Sequence, residues 1–405
     1  MVNPIEAPIQ NTGPLNGIKV LELGTLIAGP FASRMLAEFG ADVVKVESPK
    51  EGDPIRKWRV LHEGNSLWWA VQARNKKSLT LNLKAPEGQQ ILRKLLAQTD
   101  ILVENFRPGQ LEKWGLDAPT LQQLNPGLIT VRLSGYGQTG PYKDRPGFGA
   151  IAESIGGMRF LSGEADKPPV RVGISIGDSL AGLHAVIGAL LALHHRNKTG
   201  QGQVVDVALY ESVFNMMESL LPEYDFAGVV RQRSGASLPG IVPSNTYTCG
   251  DGSYIVIGGN GDAIFKRLMT AIGRADMAEN PEMASNDGRV KHTALIDQTI
   301  GDWCAGRGIE AALEVLQAAD VPVSKIYSIA DIVKDAQFLA RGMIEEHAFT
   351  AGRTLKLPGV VPKLSLTPGR TRWLGPTLGE HNADVLKDIG LSEAQITQMR
   401  ERGVI

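Results

Sequence analysis

The sequence predicts an α/β protein with a large domain built on a buried parallel sheet and a smaller α/β domain beside it. Two observations predict the sheet. Strand-like and helix-like segments alternate over residues 18–134, and the strands are apolar along their whole length. Such strands are typical of parallel sheets that helices cover through right-handed crossovers. A loop-like stretch at 226–245, after which strands and helices resume, predicts the second domain.

The elements of the sheet follow in order along the chain. The first strand is followed by a helix that Gly40 ends. The predicted strands are 18–23, 41–47, 78–83, 100–105 and 127–135, and the predicted helices are 29–40 and 86–99. Ligands of such sheets bind at the carboxyl ends of the strands. We therefore expect the site at segments 24–30, 47–49, 105–108 and 134–142.

The later segments predict how the domains divide. A helix over 179–196 leads through a turn to a further strand and a helix from Tyr210. Short strands spaced by prolines, then loop and helices, follow the smaller α/β unit. We expect a large domain over 1–225, a small domain over 226–330 and a C-terminal segment, 331–405, that returns to the large domain.

Composition restricts the class of protein. The chain has 405 residues, 43% of them hydrophobic, which is enough for a large core and two or three domains. Lysine and arginine number 42 against 43 acidic residues, so the net charge of −1 indicates neither a nucleic-acid nor a membrane partner. Only Cys249 and Cys304 are present, and residues 1–17 lack the features of a signal peptide. The apolar run 185–193 is too short to span a bilayer, and we expect a cytoplasmic protein.

Several familiar motifs are absent or misplaced. The spelling GYGQTG at 135–140 opens a loop, whereas a dinucleotide site needs a helix there. The spelling GISIG at 173–177 places Ser175 three residues before the expected helix start, which disfavours a serine hydrolase. No P-loop, H-E-x-x-H motif or paired C-x-x-C occurs, and the adjacent His194 and His195 favour a solvated helix end. We expect no metal and no tightly bound cofactor.

Asp178 stands at the start of a long apolar helix, in the stretch ISIGDSLAGLHAVIGALLAL. An aspartate there is most often an N-cap, because its oxygens accept backbone N–H groups that the first turn leaves unpaired. The alternative is a nucleophile, kept ionised because the helix dipole favours negative charge at that end. Pattern alone favours the cap.

Five segments, in order from about Leu15 to Ile405, resemble the class III CoA-transferases, the formyl-CoA transferase and CaiB/BaiF family. They are LNGIKVLELGTLIAGPFASRMLAEFGADVVKVE, NKKSLTLNLK, ILVENFRPG, GDSLAGLHAVIGALLALHHRNKTGQGQVVDVALYESV and GPTLGEHNADVLKDIGL. The resemblance implies a Rossmann-like large domain split in sequence, and a homodimer in which each chain threads through a ring made by the other. It also implies acyl-CoA and a small carboxylic acid as the partners in the reaction.

The resemblance identifies Asp178 with the family's nucleophile, an aspartate in a G-D-S context. It implies attack on an acyl-CoA thioester and an aspartyl-CoA intermediate, from which the acceptor acid takes CoA. A carboxylate suits this exchange because it is a nucleophile and, from an anhydride, a good leaving group. The cluster Gly258, Gly259 and Gly261 is the candidate for stabilising the oxyanion, although it equally fits a plain turn.

The resemblance also implies which residues contact CoA. Residues on or near these positions are Ala28, Leu81, Lys84, Asn105, Phe106, Arg107, Lys113 and Arg145. Lys84 and Arg107 supply positive charge for phosphates, and Asn105 can bind the amides of the pantetheine arm. Ser48 departs from the pattern, because formyl-CoA transferase has an arginine there.

Two further departures concern the reaction. Ile27 replaces a glutamine of formyl-CoA transferase, which disfavours oxalate and formate as substrates. The related α-methylacyl-CoA racemases have a G-H-D motif where this chain has Gly147, Phe148 and Gly149. Since racemisation needs a base on each face of the carbon, and Phe148 cannot take a proton, racemase is the second choice. A CoA-binding protein without catalysis is the third.

The acceptor acid is open at this point. Leu26, Ile27 and Phe148 suggest a partly apolar pocket. Arg231 or Arg233 could pair with the second carboxylate of an acid such as succinate, but an exposed loop charge is the simpler interpretation.

Overall fold

The computed structural model describes residues 13–350 and 352–405. The expectation about a signal peptide falls mainly on residues 1–12, which lie outside this range. The chain divides into two compact units, the first comprising the chain up to Met158, Val172–Pro222 and Ala340–Ile405. The second unit comprises Arg159–Arg171 and Glu223–Leu339. It therefore takes in residues that the sequence analysis gives to the large domain and the C-terminal segment.

The strands and helices alternate along most of the chain. The strands are β1 Lys19–Glu22, β2 Asp42–Glu47, β3 Leu61–His62, β4 Asn65–Ser66, β5 Lys76–Thr80, β6 Ile101–Glu104, β7 Ile129–Ser134, β8 Val204–Ala208, β9 Ser244–Thr248, β10 Tyr254–Gly258, β11 Val323–Lys325, β12 Ile344–Thr350 and β13 Arg353–Pro358. The α-helices are α1 Ala28–Glu38, α2 Leu67–Gln72, α3 Pro86–Leu96, α4 Gln110–Lys113, α5 Ala118–Leu124, α6 Gly149–Ile155, α7 Met158–Leu161, α8 Ile176–Thr199, α9 Leu209–Phe214, α10 Leu220–Ala227, α11 Asp262–Ala271, α12 Ala275–Ala278, α13 Asn286–Lys291, α14 Thr293–Ala305, α15 Ile309–Ala318, α16 Ile329–Ile332, α17 Ala336–Ala340, α18 Asn382–Asp388 and α19 Glu393–Glu401. Pro54–Lys57 and Pro281–Met283 form short 3-10 helices.

The first unit is built on a six-stranded sheet in the order β5-β2-β1-β6-β7-β8, and every neighbouring pair is parallel. Strands β6 and β7 are buried along their whole length, as apolar parallel strands require. The prediction of an α/β protein with a parallel sheet is confirmed. Most predicted ends differ by one to three residues, and the strand expected at 78–83 spans Lys76–Thr80 instead.

The strand order places the ligand-binding edge. Counted along the chain, the six strands lie in the order 3-2-1-4-5-6, which is the doubly wound, Rossmann-like arrangement. The order reverses between β1 and β6, so the loops that follow these two strands diverge and leave a crevice at their carboxyl ends. Those loops begin at Leu23 and Asn105.

Helix α8 is 24 residues long and begins at Ile176, three residues before the expected start. Within the described residues it is the one helix long and apolar enough to cross a bilayer, by length and composition only, whereas the run 185–193 considered in the sequence analysis is a shorter part of it. The helix packs against α1, α6, α9, β7 and β8 in the first unit. Its other face exposes Ile187 and Leu191.

The C-terminal segment covers the edge of the main sheet at β5. The backbone of Ser78 and Thr80 donates to the side chains of His381 and Asn382, at 3.2 and 2.8 Å. Asn75, just before the strand, accepts from Arg372 N at 2.6 Å. An uncovered edge strand would present unpaired backbone groups to other chains, and this segment occupies them.

The second unit is a smaller α/β body. Its antiparallel sheet has the order β11-β10-β9, and helices α11, α12, α14 and α15 share a hydrophobic core with it. The core joins the strand residues Ile255 and Ile257 to helix residues such as Phe265 and Ile300. Cys249 and Cys304 are buried there as free thiols.

Candidate active site

The carboxylate of Asp178 lies in the first turn of α8, the third residue of the helix, and is half-buried. Ser175 occupies the N-cap position instead, so the prediction that Asp178 is the cap is wrong. No strand leads into Ser175 among the described residues around it, so the strand–turn–helix of a nucleophile elbow is missing. At this position the positive end of the helix dipole favours a negative charge on Asp178.

Gly149, the first residue of α6, packs directly against this carboxylate. A Cβ atom added at Gly149 would lie 2.0 Å from Asp178 Oδ2, far inside van der Waals contact. The Gly149 carbonyl oxygen in turn lies 3.0 Å from the place of a Cβ at Gly177. Two glycines therefore let the starts of α6 and α8 meet around the aspartate.

The start of α8 packs on the beginning of α1. Gly182, one turn after Asp178 in α8, packs so closely on α1 that an added Cβ would lie 2.7 Å from Phe31 Cδ1 and 3.1 Å from Ala28 O. Side chains four residues apart share a helix face. Asp178 therefore shares the face of α8 that meets buried Ala28, and the loop after β1 leads into Ala28.

A cleft of about 460 Å³ opens at the carboxyl ends of β1, β2 and β5. It is lined by three of the residues expected to contact CoA, namely Leu81, Lys84 and Phe106. Phe106 is held edge-to-face on Trp114, with ring centroids 5.4 Å apart. The walls combine apolar side chains with the exposed amines of Lys50 and Lys84, which suits a ligand with an apolar part and anionic groups.

The other expected CoA residues are not in this cleft. Arg107 and Lys113 are exposed and follow Phe106 closely in sequence. Arg145 stacks on Tyr142, with its guanidinium 3.6 Å from the ring centre. Asn105 exchanges two hydrogen bonds with the backbone of Thr25, accepting from its N–H and donating to its carbonyl, each at 2.8 Å. The Asn105 amide thus ties the loop after β6 to the loop after β1.

Buried charges beneath these loops were not found by sequence reasoning. Glu104, the last residue of β6, accepts a hydrogen bond from Phe106 N at 2.8 Å and pairs with Arg132 at 2.7 Å. Burial raises the pKa of Glu104 to about 7, although Arg132 opposes the rise. The available signal was the sequence itself, in which Glu22, Lys45 and Glu104 interrupt otherwise apolar strands.

The glycine cluster lies in the second unit, between β10 and α11. Neither Gly259 nor Gly261 has a positive φ, so neither position needs glycine for its backbone conformation. Gly259 is needed for space instead, since an added Cβ would lie 2.6 Å from Leu268 Cδ2. Its N–H donates to Pro243 O at 2.9 Å, while Gly261 stands at the N-cap of α11.

Buried Arg289 holds this cluster in place. Its guanidinium donates to Asn260 O at 2.7 Å and to Asp262 Oδ1 at 2.8 Å.

Arg231 pairs with Glu223, and Arg233 donates to the carbonyls of Phe160 and Glu164 at 3.0 and 3.1 Å. Both loop arginines are half-buried and engaged within the second unit, so they are not the exposed loop charges that the simpler interpretation of the sequence expects.

Comparisons with known proteins agree with this architecture. The model of CoA-transferase family III matches residues 15–382. Over 395 residues the chain is 47% identical to the succinyl-CoA–D-citramalate CoA-transferase of Chloroflexus aurantiacus, covering 97% of this chain and 98% of the relative. It is 43% identical over 399 residues to the beta subunit of the succinyl-CoA–L-malate CoA-transferase of that organism, with coverage of 97% and 98%.

A solved structure has the same fold. The crystal structure of a CAIB/BAIF family protein from Brucella suis matches with a TM-score of 0.81 at 34% identity, covering 93% of this chain and 100% of that one. The family match and the structural match each cover nearly the whole chain. The chain therefore belongs to CoA-transferase family III and moves CoA from an acyl-CoA to a free carboxylic acid.

Proposed function

We propose that this CoA-transferase takes CoA from succinyl-CoA and passes it to a hydroxylated C4 or C5 dicarboxylic acid, with Asp178 as the nucleophile. The observation that carries the proposal is the Asp178 carboxylate, placed in the first turn of α8 against Gly149. The donor and the acceptor class follow from the relatives named for succinyl-CoA with D-citramalate and with L-malate.

The reaction needs no redox or metal chemistry. The Asp178 carboxylate attacks the thioester carbonyl and expels CoA thiolate, which leaves a mixed anhydride of the donor acid and the aspartate. The thiolate attacks the aspartyl carbonyl, releasing the donor acid and forming an aspartyl-CoA thioester. The acceptor carboxylate then repeats both steps in reverse and restores Asp178. A thioester is exchanged for a thioester, so the equilibrium is nearly balanced.

The cleft beside β1 and β2 suits the CoA moiety. Lys84 and Lys50 can attract phosphates at its mouth, while Leu81 and Phe106 offer apolar contacts. That Gly259 and Gly261 stabilise the oxyanion stays a prediction from the family resemblance. The Gly259 N–H is bonded to Pro243 O, so Gly261, at the N-cap of α11, is the better candidate of the two. One such donor contributes about 3 kcal/mol in comparable sites.

The test combines kinetics with trapping. Incubation with succinyl-CoA followed by hydroxylamine or borohydride should modify Asp178 alone, as located by peptide mass spectrometry. Asp178→Asn should abolish transfer to malate or citramalate, whereas Ser175→Ala, a change at the same helix start, should leave it. An unmodified Asp178 peptide from enzyme that transfers CoA would refute the covalent route. Transfer to monocarboxylic acids alone would refute the acceptor class.

We further propose a homodimer. In the first unit, an open groove of about 680 Å³ runs along α8 and α9, and its apolar lining includes exposed Ile187, Leu191, Phe214 and Leu221. Exposed apolar surface of this extent is typical of an interface. If the chains interlock as the family resemblance implies, dissociation requires unfolding, so light scattering should give a dimer even after dilution. A monomer at micromolar concentration would refute the proposal.

A further inference from the structure

The loop Gly24–Ile27, between β1 and α1, has a constrained backbone. Leu26 adopts a φ of +66°, a left-handed conformation that a residue with a Cβ disfavours. The loop carries no regular secondary structure and leads directly into Ala28, on the face of α8 that bears Asp178. Something other than its own sequence must hold this conformation.

Side chains from four other segments hold the loop through its backbone. Lys45 and Gln72 are fully buried and Asn105 is half-buried. Lys45 Nζ donates to Gly24 O at 2.7 Å, and Gln72 Nε2 donates to Ile27 O at 3.0 Å. Asn105 accepts from Thr25 N and donates to Thr25 O, each at 2.8 Å. Both carboxylate oxygens of Asp53 accept from Leu26 N at 3.1 Å. Each residue of the loop is therefore fixed by at least one side chain from outside it.

Asp53 is the member of this set that supports the left-handed residue. Its carboxylate also pairs with Lys45 at 2.8 Å, and Lys45 pairs with Glu22 at 2.7 Å, all three being nearly inaccessible to solvent. Burial opposes ionisation of Asp53, but Lys45 and the backbone N–H groups of Ile55 and Leu26 more than offset it and lower its pKa. The ionised carboxylate is thus held rigidly under the Leu26 N–H.

A buried ion pair is weak evidence for stability, since desolvation offsets much of the attraction. This one is better explained by what it holds. Leu26 and Ile27 directly precede Ala28, whose carbonyl oxygen packs on Gly182, one turn along α8 from Asp178. A small change at Leu26 N would move both side chains relative to the nucleophile.

We propose that Asp53 is a positioning residue that holds Leu26 and Ile27 beside Asp178 and thereby sets which acceptor acids the enzyme accepts. The proposal rests on Asp178 reacting as proposed above. Asp53 lies behind the wall of the cleft proposed for CoA, but its side chain is inaccessible to solvent, so it acts through the Leu26 N–H and not on the substrate. When Leu26 and Ile27 are held in one place, the site discriminates between acids better than a mobile site does. A rigid site does not adapt to the wrong ligand.

The experiment compares two acceptors, malate and butyrate, with succinyl-CoA as donor. Asp53→Asn should change the ratio of their kcat/KM values about tenfold, which is the scale expected from losing support for a left-handed residue. The control is Glu38→Gln, which removes a buried carboxylate bound by Arg74 at 2.6 Å at the other end of α1. The control should leave the ratio unchanged even where stability falls.

A second background separates positioning from general destabilisation. Glycine adopts a positive φ freely, so in a Leu26→Gly protein Asp53→Asn should change the ratio only about twofold, against tenfold with Leu26 present. An equal effect in both backgrounds would overturn the proposal, as would an unchanged ratio in folded Asp53→Asn.

Further variants keep the result interpretable. If Asp53→Asn does not fold, Gln72→Met, which releases Ile27 O, should shift the ratio in its place, and an unchanged ratio would overturn the proposal. Asp178→Asn tests the chemistry separately. Transfer that survives Asp178→Asn refutes the nucleophile, whereas loss of transfer there with an unmoved ratio in Asp53→Asn refutes only the positioning role.

Discussion

The contact between Gly149 and Asp178 places the candidate nucleophile at the start of α8. Asp178 is acidic in the first turn of a helix, which many proteins have, and nothing in its type distinguishes a cap from a nucleophile. Ser175 occupies the N-cap position, and the backbone of Gly149 lies against the Asp178 carboxylate. The contact limits where the carboxylate can lie, and its role as nucleophile stays a prediction.

Gly149→Ala tests this contact. The added methyl would lie 2.0 Å from Asp178 Oδ2, so the carboxylate must move. We expect kcat to fall by about 100-fold, since displacement of a reacting group by about 1 Å has that effect. Gly173→Ala is the control, because a Cβ there meets nothing within 4 Å. Steady-state kinetics in which both variants match the wild type would contradict the expectation.

Glu104 predicts a pH dependence of stability. Its folded pKa of about 7 lies above its ordinary value of 4.5, so the folded state binds the proton more tightly than the unfolded state. The resulting stabilisation is complete below pH 4.5 and is lost as the pH rises through 7. Between these values the free energy of unfolding of the wild type should fall, relative to Glu104→Gln, by on the order of 3 kcal/mol. Urea unfolding at several pH values measures this, and parallel curves would contradict it.

Phe148 separates transferase from racemase. It is two-thirds exposed, at 66%, directly before Gly149, and its ring cannot carry a proton. With Asp178 as the base on one face, reprotonation returns the proton to that same face. A chiral 2-methylacyl-CoA should therefore keep its configuration while an added free acid acquires CoA, as chiral chromatography and mass spectrometry would show. Racemised thioester without CoA transfer would mean that another residue supplies the second base.

At the scale of elements, glycines set the distances between helices. Helix α8 approaches α1 at Gly182 and β8 at Gly188, where an added Cβ would lie 2.7 Å from Phe31 Cδ1 and 2.4 Å from Val205 Cγ1. Small residues at these points let the axes come closer than larger side chains allow. The first contact matters for the site, because it places the start of α8 beside the start of α1.

Gly182→Ala should separate these two helices. The methyl overlaps Phe31 Cδ1, and overpacking of this kind costs about 1–3 kcal/mol of unfolding free energy. Activity should fall as well, because Asp178 lies one turn away on the same face. Asn197→Ala, exposed near the end of the same helix, should change neither quantity. Unaltered thermal stability and kcat in Gly182→Ala would show that the helices do not depend on this contact.

At the scale of the molecule, the chain returns to its beginning. The C-terminal segment lies along β5, although the two are far apart in sequence. Asn75 and Arg372, which are in contact, are separated by 297 positions. Asn75 is buried, with a left-handed φ of 62°, and its amide donates to Arg370 O at 2.7 Å and accepts from Arg372 N at 2.6 Å. With the bonds of Ser78 and Thr80 to His381 and Asn382, this side chain attaches the segment to the edge of the sheet.

Asn75→Ala should loosen the closure. It leaves partly buried backbone groups of Arg370 and Arg372 without their Asn75 partner, at up to about 1–3 kcal/mol each, and it puts alanine in a left-handed conformation. We expect the free energy of unfolding to fall by about 3–5 kcal/mol, together with aggregation through the uncovered strand. Denaturant titration and light scattering measure both. Exposed Asn65→Ala is the control, and equal behaviour of the two variants would contradict the expectation.

The sequence by itself determined the features that depend on local pattern. Apolar strands alternating with helices predicted the parallel sheet, because strands covered on both faces have no polar side. The ordered motifs from Leu15 onward identified the family, and with it Asp178 as the candidate nucleophile. Family likeness also pointed to Leu81, Lys84 and Phe106, which the fold brings to one cleft.

Only the tertiary structure decided the features that depend on long-range contacts. The helix began at Ile176 and not at 179, because its first turn packs on α6 through Gly149 and Gly177. The support of Leu26 by Asp53 joins residues 27 positions apart, and that of β5 by Arg372 joins far more distant ones. Local propensity carries no information about such pairs. A charged residue in a strand gives the same sequence pattern whether water or a buried lysine is its partner.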